Sequence, residues 1–526
     1  MERLLDLIKT TYKDKKANTI ILALYLSFIL ITNIVASKYF CMPYLVLGSI
    51  LLIALSLTIS PLLISLFSKI TVDDKNRFKK LSGWKLKLLF YGVPLAVLFI
   101  TYIAYYPGGF GNDALAQLEQ YVDGRYSDWH PALQTLMFIY VPIKLTEGWI
   151  GSIILFQAVY FALALGYGFE TVYKYAGSKY TVACMLYIFL NPLLGFALNA
   201  WKDVAFAIGV ILLMAYSLNI YMTKGQWIKK IPNLIVFVTV FTLTNIFRHN
   251  AVLFTVPLLI ALFFIIPKKQ FIALILSVIA LFAVIKGPFY SLIGVENPPR
   301  RQVETVGLPL TVIGDAVTYT PELLDEDILE FAYNFAPREA WDEYYVSGNF
   351  NSIKWVQEAR LDAIEEYDTS LIVDMMARCF NESPEVSAAA VVRLTEGIYT
   401  VTDPHYTDVT PFVVDNYFAI PKIPDKSPML SFFYAYHSLI EDFFPHIFLY
   451  LGVAVLIVII TMLSKCRLSS LKDWKKILFA LPVLTYNFGT ALLLTGFNDC
   501  PRFFSYTVFI VPLILIFFLR KEETVK

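Results

Sequence analysis

Carboxylates and cations recur together at four junctions between long apolar runs. The first, residues 105–133, reads YYPGGFGNDALAQLEQYVDGRYSDWHPAL and offers Asn112, Asp113, Glu119, Asp123, Arg125, Asp128 and His130. NAWKDVAF supplies Trp201, Lys202 and Asp203; FRHNAV supplies Arg248, His249 and Asn250; GFNDCPRFF supplies Asn498, Asp499 and Arg502. A carboxylate can orient and partly deprotonate an attacking hydroxyl. Fixed cations screened from water stabilise the charge that grows on a departing phosphate. Arginine suits that task because its planar fork binds two oxygens at once. Asp113 is therefore the candidate base, and Lys202, Arg248 and Arg502 are the candidate phosphate ligands. His130 or His249 would add a hydrogen bond. Three cations sharing one cavity call for an anion, and on this reading Asp113 and Asp203 lie too far away to cancel their charge.

Each stretch also has a plain structural reading. Asp113 would cap the helix-like run ALAQLEQYV. Asp128-Trp129-His130-Pro131 would turn into the next helix. Trp201 would be an interfacial aromatic, Lys202 a snorkelling cation and Asp203 a cap. Arg248-His249-Asn250 would be a tight hairpin, Arg502 an interfacial anchor and Asp499 a loop residue. Four such stretches on one membrane face favour a shared site over four separate accidents. The five cysteines have no CxxC spacing, and no ligand spacing for zinc is present. His405, His437 and His446 read as ordinary domain or interface residues. No cofactor is required; a divalent ion shared by Asp113 and Asp203 is the alternative to a site without metal.

Composition says what must hold these stretches. The 526 residues are 57% hydrophobic and only 16% charged, against roughly 25% charged in a soluble domain. Apolar runs of about 20 residues recur, long enough to cross a bilayer as helices. Continuous runs such as 51–66 lack the alternation of a membrane barrel. The expected fold is an all-α polytopic membrane protein of about twelve transmembrane helices. They fall near 18–36, 43–67, 86–106, 149–172, 179–198, 203–222, 231–247, 250–266, 270–289, 443–464, 476–496 and 503–520. The net charge of +1 argues against a nucleic-acid partner.

Residues 131–145 are apolar but short for a span. If they lie along the outer interface as a juxtamembrane helix, the inner segments hold 27 Lys and Arg. The short outer loops then hold six: Lys38, Arg125, Lys144, Lys202, Arg248 and Arg502. A crossing at 131–145 would move the later basic clusters outside, against the positive-inside bias. The N- and C-termini are thus expected in the cytoplasm of a multi-pass plasma-membrane protein, with the charged stretches outside. The chain divides into a membrane hairpin with its linker (1–84), a membrane core (85–290) whose outer loop is 107–148, an α-rich extracytoplasmic domain (291–440) and a three-helix membrane segment (441–526). Helical patterning at 353–367 and 371–379 and Pro-rich ends mark the outer domain.

The first outer loop resembles that of the GT-C superfamily of membrane glycosyltransferases. A span ends in Tyr106-Pro107-Gly108, Asp113 follows, and a short acidic helix leads to His130-Pro131 and an amphipathic helix. The WKD, RHN and Arg502 stretches look like those of an uncharacterised bacterial group of GT-C-like proteins. The chain departs from the family pattern in carrying two spans before this loop and Pro131-Ala132 where Pro-Pro often follows the histidine. The resemblance implies a GT-C-like fold and transfer of a sugar from a polyprenyl-phosphate carrier to an outer-face acceptor, whether glycan, lipid or protein. It implies Asp113 as the catalytic acid–base residue. Asn112, Asp128, His130, Trp201, Lys202, Asp203, Arg248, His249 and Arg502 would bind the substrates, and membrane lipids would surround them. A transporter, lipid or polysaccharide flippase, or export component is the alternative class, and would place polar residues deep within spans.

Overall fold

A computed structural model describes residues 2–35, 42–73, 78, 81–296, 302–401, 409–424, 428–443 and 451–520. Lys38, Cys41, the Asn297-Pro298-Pro299 end, His405 and His446 lie outside the described residues, as does the side chain of His437. The described residues are helical, with isolated single-residue bridges in place of any strand. Among the described residues, six helices are long and apolar enough to cross a membrane: Asp6–Val35, Leu45–Lys69, Trp84–Ala104, Ser152–Phe189, Lys202–Met222 and Lys268–Leu292. The bent pair Phe497–Phe504 and Tyr506–Leu519 makes a seventh if it counts as one.

The sequence leads one to expect about twelve, and the difference has two local causes. Several apolar stretches form helices shorter than a full span: Ile231–Phe247, His249–Phe263 and Leu451–Lys465. Ser152–Phe189, in contrast, holds two of the expected spans in one continuous assignment. Gly177 within it sits at φ 75°, ψ −177°. On a straight helix Phe169 and Phe189 would stand about 30 Å apart, yet their ring centroids are 5.7 Å apart. The chain therefore doubles back at Gly177, close to the expected boundary between 172 and 179.

Contacts between helix ends sort into two sets. In one, the Asn18 amide donates to the carbonyls of Leu463 and Cys466 at 2.8 and 2.7 Å. Lys465 donates to the Ser68 carbonyl, Val72 bridges to Arg520, and Arg520 donates to the Tyr175 carbonyl. In the other, Tyr102 donates to the Gly151 carbonyl at 3.0 Å and the Trp149 indole donates to Tyr106 at 3.0 Å. Gly109 bridges to Asn199 and Phe110 to Val413. The loop 107–148 thus leaves and rejoins the bundle at one level. Its two helical pieces lie side by side there. Gln117 of the helix Asn112–Asp123 donates to Gln134 and, at 2.8 Å, to Thr135, and Tyr121 packs on Tyr140.

The helical segment 302–401 has its own hydrophobic core, built on Val312, Ile313, Phe331, Phe335, Trp341 and Phe350. The expected helix at 371–379 lies within Thr369–Glu382, whereas 353–367 breaks into Asn351–Lys354 and Leu361–Glu365. Asp315, fully buried, ties three parts of the domain. It accepts hydrogen bonds from Tyr345 at 2.7 Å, from the Gly348 amide at 2.9 Å and from Ser347, and it faces Arg393.

The Gly177 reversal gives a stability test. Its backbone lies in a region open essentially to glycine, so Gly177→Ala should cost about 1–3 kcal/mol. A lowered melting temperature of the detergent-solubilised protein would report this. Gly287→Ala, which meets open space, should leave it unchanged.

Candidate functional site

Asp113 sits in the first turn of Asn112–Asp123, whose capping position is Gly111. Asp203 likewise lies inside the first turn of Lys202–Met222, after Trp201 at the cap. Neither carboxylate caps its helix, so both are free for tertiary partners. The parallel bridge between Gly109 and Asn199 lays the first loop beside the chain that leads into Trp201. The 3-10 turn at His249–Ala251 and the bend between Phe497–Phe504 and Tyr506–Leu519 bring two arginines to the same place.

The result is a chain of alternating charge. Arg502 pairs with Asp113 through one guanidinium nitrogen and with Asp203 at 2.5 Å through Nε. Arg248 pairs with the other oxygen of Asp203 and donates to Asn250 at 2.7 Å. Asp203 and Arg248 are only 2% and 5% exposed. The Arg248 guanidinium stacks over Phe503 at 4.2 Å, and that of Arg502 lies 5.6 Å from the Trp201 ring. Among the described residues, Lys202 forms no ion pair with a carboxylate.

These pairings correct one expectation. Asp113 and Asp203 do not lie apart from the cations; they neutralise two of them. The reason is desolvation: an arginine removed from water is costly unless a carboxylate meets it. The Arg502 guanidinium stands between Asp113 and Asp203. Among the described residues, no group of three or more His, Cys, Asp or Glu is placed to hold a metal ion.

Beside the charge chain is a cavity of about 620 Å³. Lys202, Arg248, His249 and Asp128 line it, with Glu304 and Thr305 from the segment 302–401 and Thr495 and Asp499 from the last loop. Its apolar wall includes Leu253, Leu493 and Phe503. Asp113 and Arg502 are not in this wall, so the expected sharing of one cavity by all three cations and Asp113 holds only for Lys202 and Arg248. Asp113 and Arg502 keep 32% and 18% side-chain exposure of their own. Asp128 pairs with Lys286 at 2.5 Å, and its carbonyl lies 3.0 Å from His249 Nε2. Trp201 is buried, and Asn112 is exposed at the helix start.

Burial by itself would raise the Asp113 carboxyl, but Arg502, then Lys202 and His130, outweigh it and hold the group well below the usual carboxylate range. Burial, and after it Lys202, push the His130 imidazole down to about 4, against the pull of Asp113. His130 is therefore neutral at pH 7, and its Nδ1 is buried without a partner.

Sequence reasoning passed over Asp499, Lys286 and Glu304. Asp499 accepts a 2.9 Å bond from Asn351, and Glu304 pairs with the buried Lys354. Lys286 had a signal, a lysine inside an apolar run; Glu304 had none, since a carboxylate in a segment rich in Asp and Glu is unexceptional.

No family model, curated protein or solved structure matches the chain.

Asp203 is the centre of the charge chain, so Asp203→Ala strands the buried Arg248, leaves Arg502 with Asp113 alone, and should destabilise the protein by about 3–5 kcal/mol. Lys87→Ala breaks an exposed pair with Glu170 and should cost about 1 kcal/mol or less. Thermal unfolding of the two variants in one detergent should separate them clearly.

Proposed function

We propose that the protein is a GT-C-like membrane glycosyltransferase that moves a sugar from a polyprenyl-phosphate donor to an acceptor on the extracytoplasmic face. The observation that carries this reading is the junction of two features. An ionised Asp113 and a cation without a carboxylate partner, Lys202, flank one cluster, and that cluster adjoins a cavity with an apolar side. Val252 and Leu493, both among its lining, are 48% and 44% exposed. A polyprenyl chain would leave along them while its phosphate meets Lys202 and Arg248. His249 and Asn250 offer further hydrogen bonds at the same wall.

The acceptor hydroxyl would donate to Asp113 and attack the anomeric carbon. The bond from that carbon to the phosphate oxygen breaks, and its electron pair stays on the phosphate. While paired to Arg502, Asp113 is a weak base. A donor phosphate competes for the same guanidinium; as Arg502 turns to it, Asp113 loses its partner and gains basicity. The proton then passes to the carboxylate and on to the released phosphate. Orientation and charge stabilisation supply the rate, and no nucleotide is needed.

About twelve spans with cytoplasmic termini in the plasma membrane complete the reading. The two sets of helix-end contacts support it, because each set joins only ends that the positive-inside assignment puts on one side.

Asp113→Asn should fold and insert but lose about 10²–10⁴-fold in transfer rate. Arg502→Gln removes the main cation that depresses the Asp113 carboxyl. Its folded pKa should rise, and the acid limb of kcat/KM against pH should move to higher pH. Near-native turnover by Asp113→Asn, measured with a radiolabelled lipid-linked sugar, would defeat the assignment. For topology, cysteines placed singly at the exposed Lys179 and Glu322 in a cysteine-free background should differ. An impermeant maleimide should label intact cells at 322 and spare 179; the opposite pattern inverts the orientation.

A further inference from the structure

Among the described residues, three carboxylates reach the lining of the charged cavity, and each is held by a second residue. Asp128 is paired with Lys286 at 2.5 Å, Asp499 accepts from Asn351 at 2.9 Å, and Glu304 is paired with Lys354. Lys202 and Arg248 share the same lining. A wall that carries both cations and carboxylates suits an occupant with two ends. One end is an anion. The other donates hydrogen bonds, because an ionised carboxylate can only accept them.

Glu304 is the carboxylate best placed to meet that second end. Its side chain keeps 33% exposure, against 15% for Asp128. It comes from the segment 302–401, whereas Lys202 starts the helix Lys202–Met222 and Arg248 precedes the turn His249–Ala251. Its charge is nonetheless felt at Lys202 and at Arg502. The backbone beneath it is fixed. Glu304 ends the 3-10 turn Gln302–Glu304. The Gln302 side-chain amide donates to the Tyr367 carbonyl at 3.0 Å and to the Thr369 hydroxyl at 3.1 Å, and the Thr305 hydroxyl donates to the Gln302 carbonyl at 2.8 Å. Lys354, only 2% exposed, holds Glu304 Oε1. A lysine so far from water needs its counterion in place. Glu304 is therefore an anchored acceptor with part of its surface open at the cavity wall.

On the reading above, the phosphate of a lipid-linked sugar meets Lys202 and Arg248. The group bonded directly to that phosphate is the sugar ring, which carries several hydroxyl donors. The cavity, at about 620 Å³, lies in the usual range for small-ligand sites. A sugar with a carboxylate of its own would meet Glu304 as a like charge, and two carboxylates in one site repel each other. If the pair served only to neutralise Lys354, Glu304 would matter to stability and be indifferent to the sugar.

We propose that Glu304 reads the sugar of the lipid-linked donor: it accepts hydrogen bonds from the ring hydroxyls and excludes sugars that carry a carboxylate. The donor is then a glycosyl phosphate whose sugar is neutral. This inference rests on the glycosyl-transfer reading, which supplies the donor. The bundle holds the phosphate, and the segment 302–401 selects what is attached to it.

The test is binding without turnover, by full-length protein in phosphatidylcholine nanodiscs. The probes are farnesyl phosphodiesters of glucose, galactose, mannose and arabinose, of glucuronate and galacturonate, and of methanol. The methyl diester has the same phosphate charge and no sugar. The best neutral glycosyl diester should bind about tenfold tighter than the methyl diester, the worth of one hydrogen bond to a charged group. The two uronate diesters should bind no better than the methyl one. Glu304→Gln should erase the gain from the neutral sugar, narrow the gap to the uronates and leave methyl-diester affinity unchanged. Because this variant strands Lys354, Glu304→Gln/Lys354→Met is measured beside it. Removing both charges avoids a stranded ion, so the double variant should keep the wild-type melting temperature and show the same loss of sugar selectivity. Equal affinity for the methyl and all neutral glycosyl diesters, a preference for a uronate, or wild-type selectivity in the double variant would each overturn the proposal. No binding of any diester, the methyl one included, would remove the lipid-phosphate site and this inference with it. Selective binding of a neutral diester that is never transferred would uphold the role of Glu304 and remove the enzymatic reading.

Discussion

Two arginines withdrawn from water set the terms for this bundle. Arg248 and Arg502 remain charged because Asp203 and Asp113 meet them. An ion in a low-dielectric surrounding costs several kcal/mol unless its partner is held close and its remaining donors are satisfied. That requirement reaches beyond the four side chains. The helix entered at Lys202, the turn at His249, the loop before Asp113 and the last bent helix must all arrive at one point. Phe503, Trp201 and Phe206 then close around the guanidinium planes.

The same arrangement explains why the site is poised and not finished. Four charges cancel in pairs, and among the described residues Lys202 is left beside the cavity without a carboxylate. Arg502, shared between two carboxylates, is the member most readily drawn away, since Asp203 keeps Arg248 when it leaves. The histidine next to it stays neutral at pH 7 and adds no further charge.

The segment 302–401 takes part in this arrangement. Asn351 contacts Asp499 and the Thr495 hydroxyl, and the Asn351 amide donates to the Thr495 carbonyl. These bonds fasten the domain to the loop that carries Arg502. Glu304 and Thr305 bring it into the cavity wall. Asp315, buried and satisfied on both oxygens, keeps the strut beneath Ser347 and Gly348 rigid. The domain is thus part of the cavity's roof, with its own core to hold that roof in shape.

Much of this was legible in the sequence because its signals are local. Apolar runs give helices, and their length and composition give membrane character. The short loop at 107–148 and the charged junctions at Trp201, Arg248 and Arg502 stand out against their apolar neighbours. Charge bias leads one to expect 131–145 along one face, and the hydrogen bonds from Tyr102 and Trp149 join the two ends of the loop that contains it. Pairing was not legible. Arg502 meets Asp203 and Asp113 across 299 and 389 residues, and no local pattern says which carboxylate an arginine will find. Nor could periodicity tell that Gly177 folds one apolar run into two or that Glu304 would reach the cavity. Those outcomes depend on the register of helices packed from opposite ends of the chain, and only the tertiary structure sets that register.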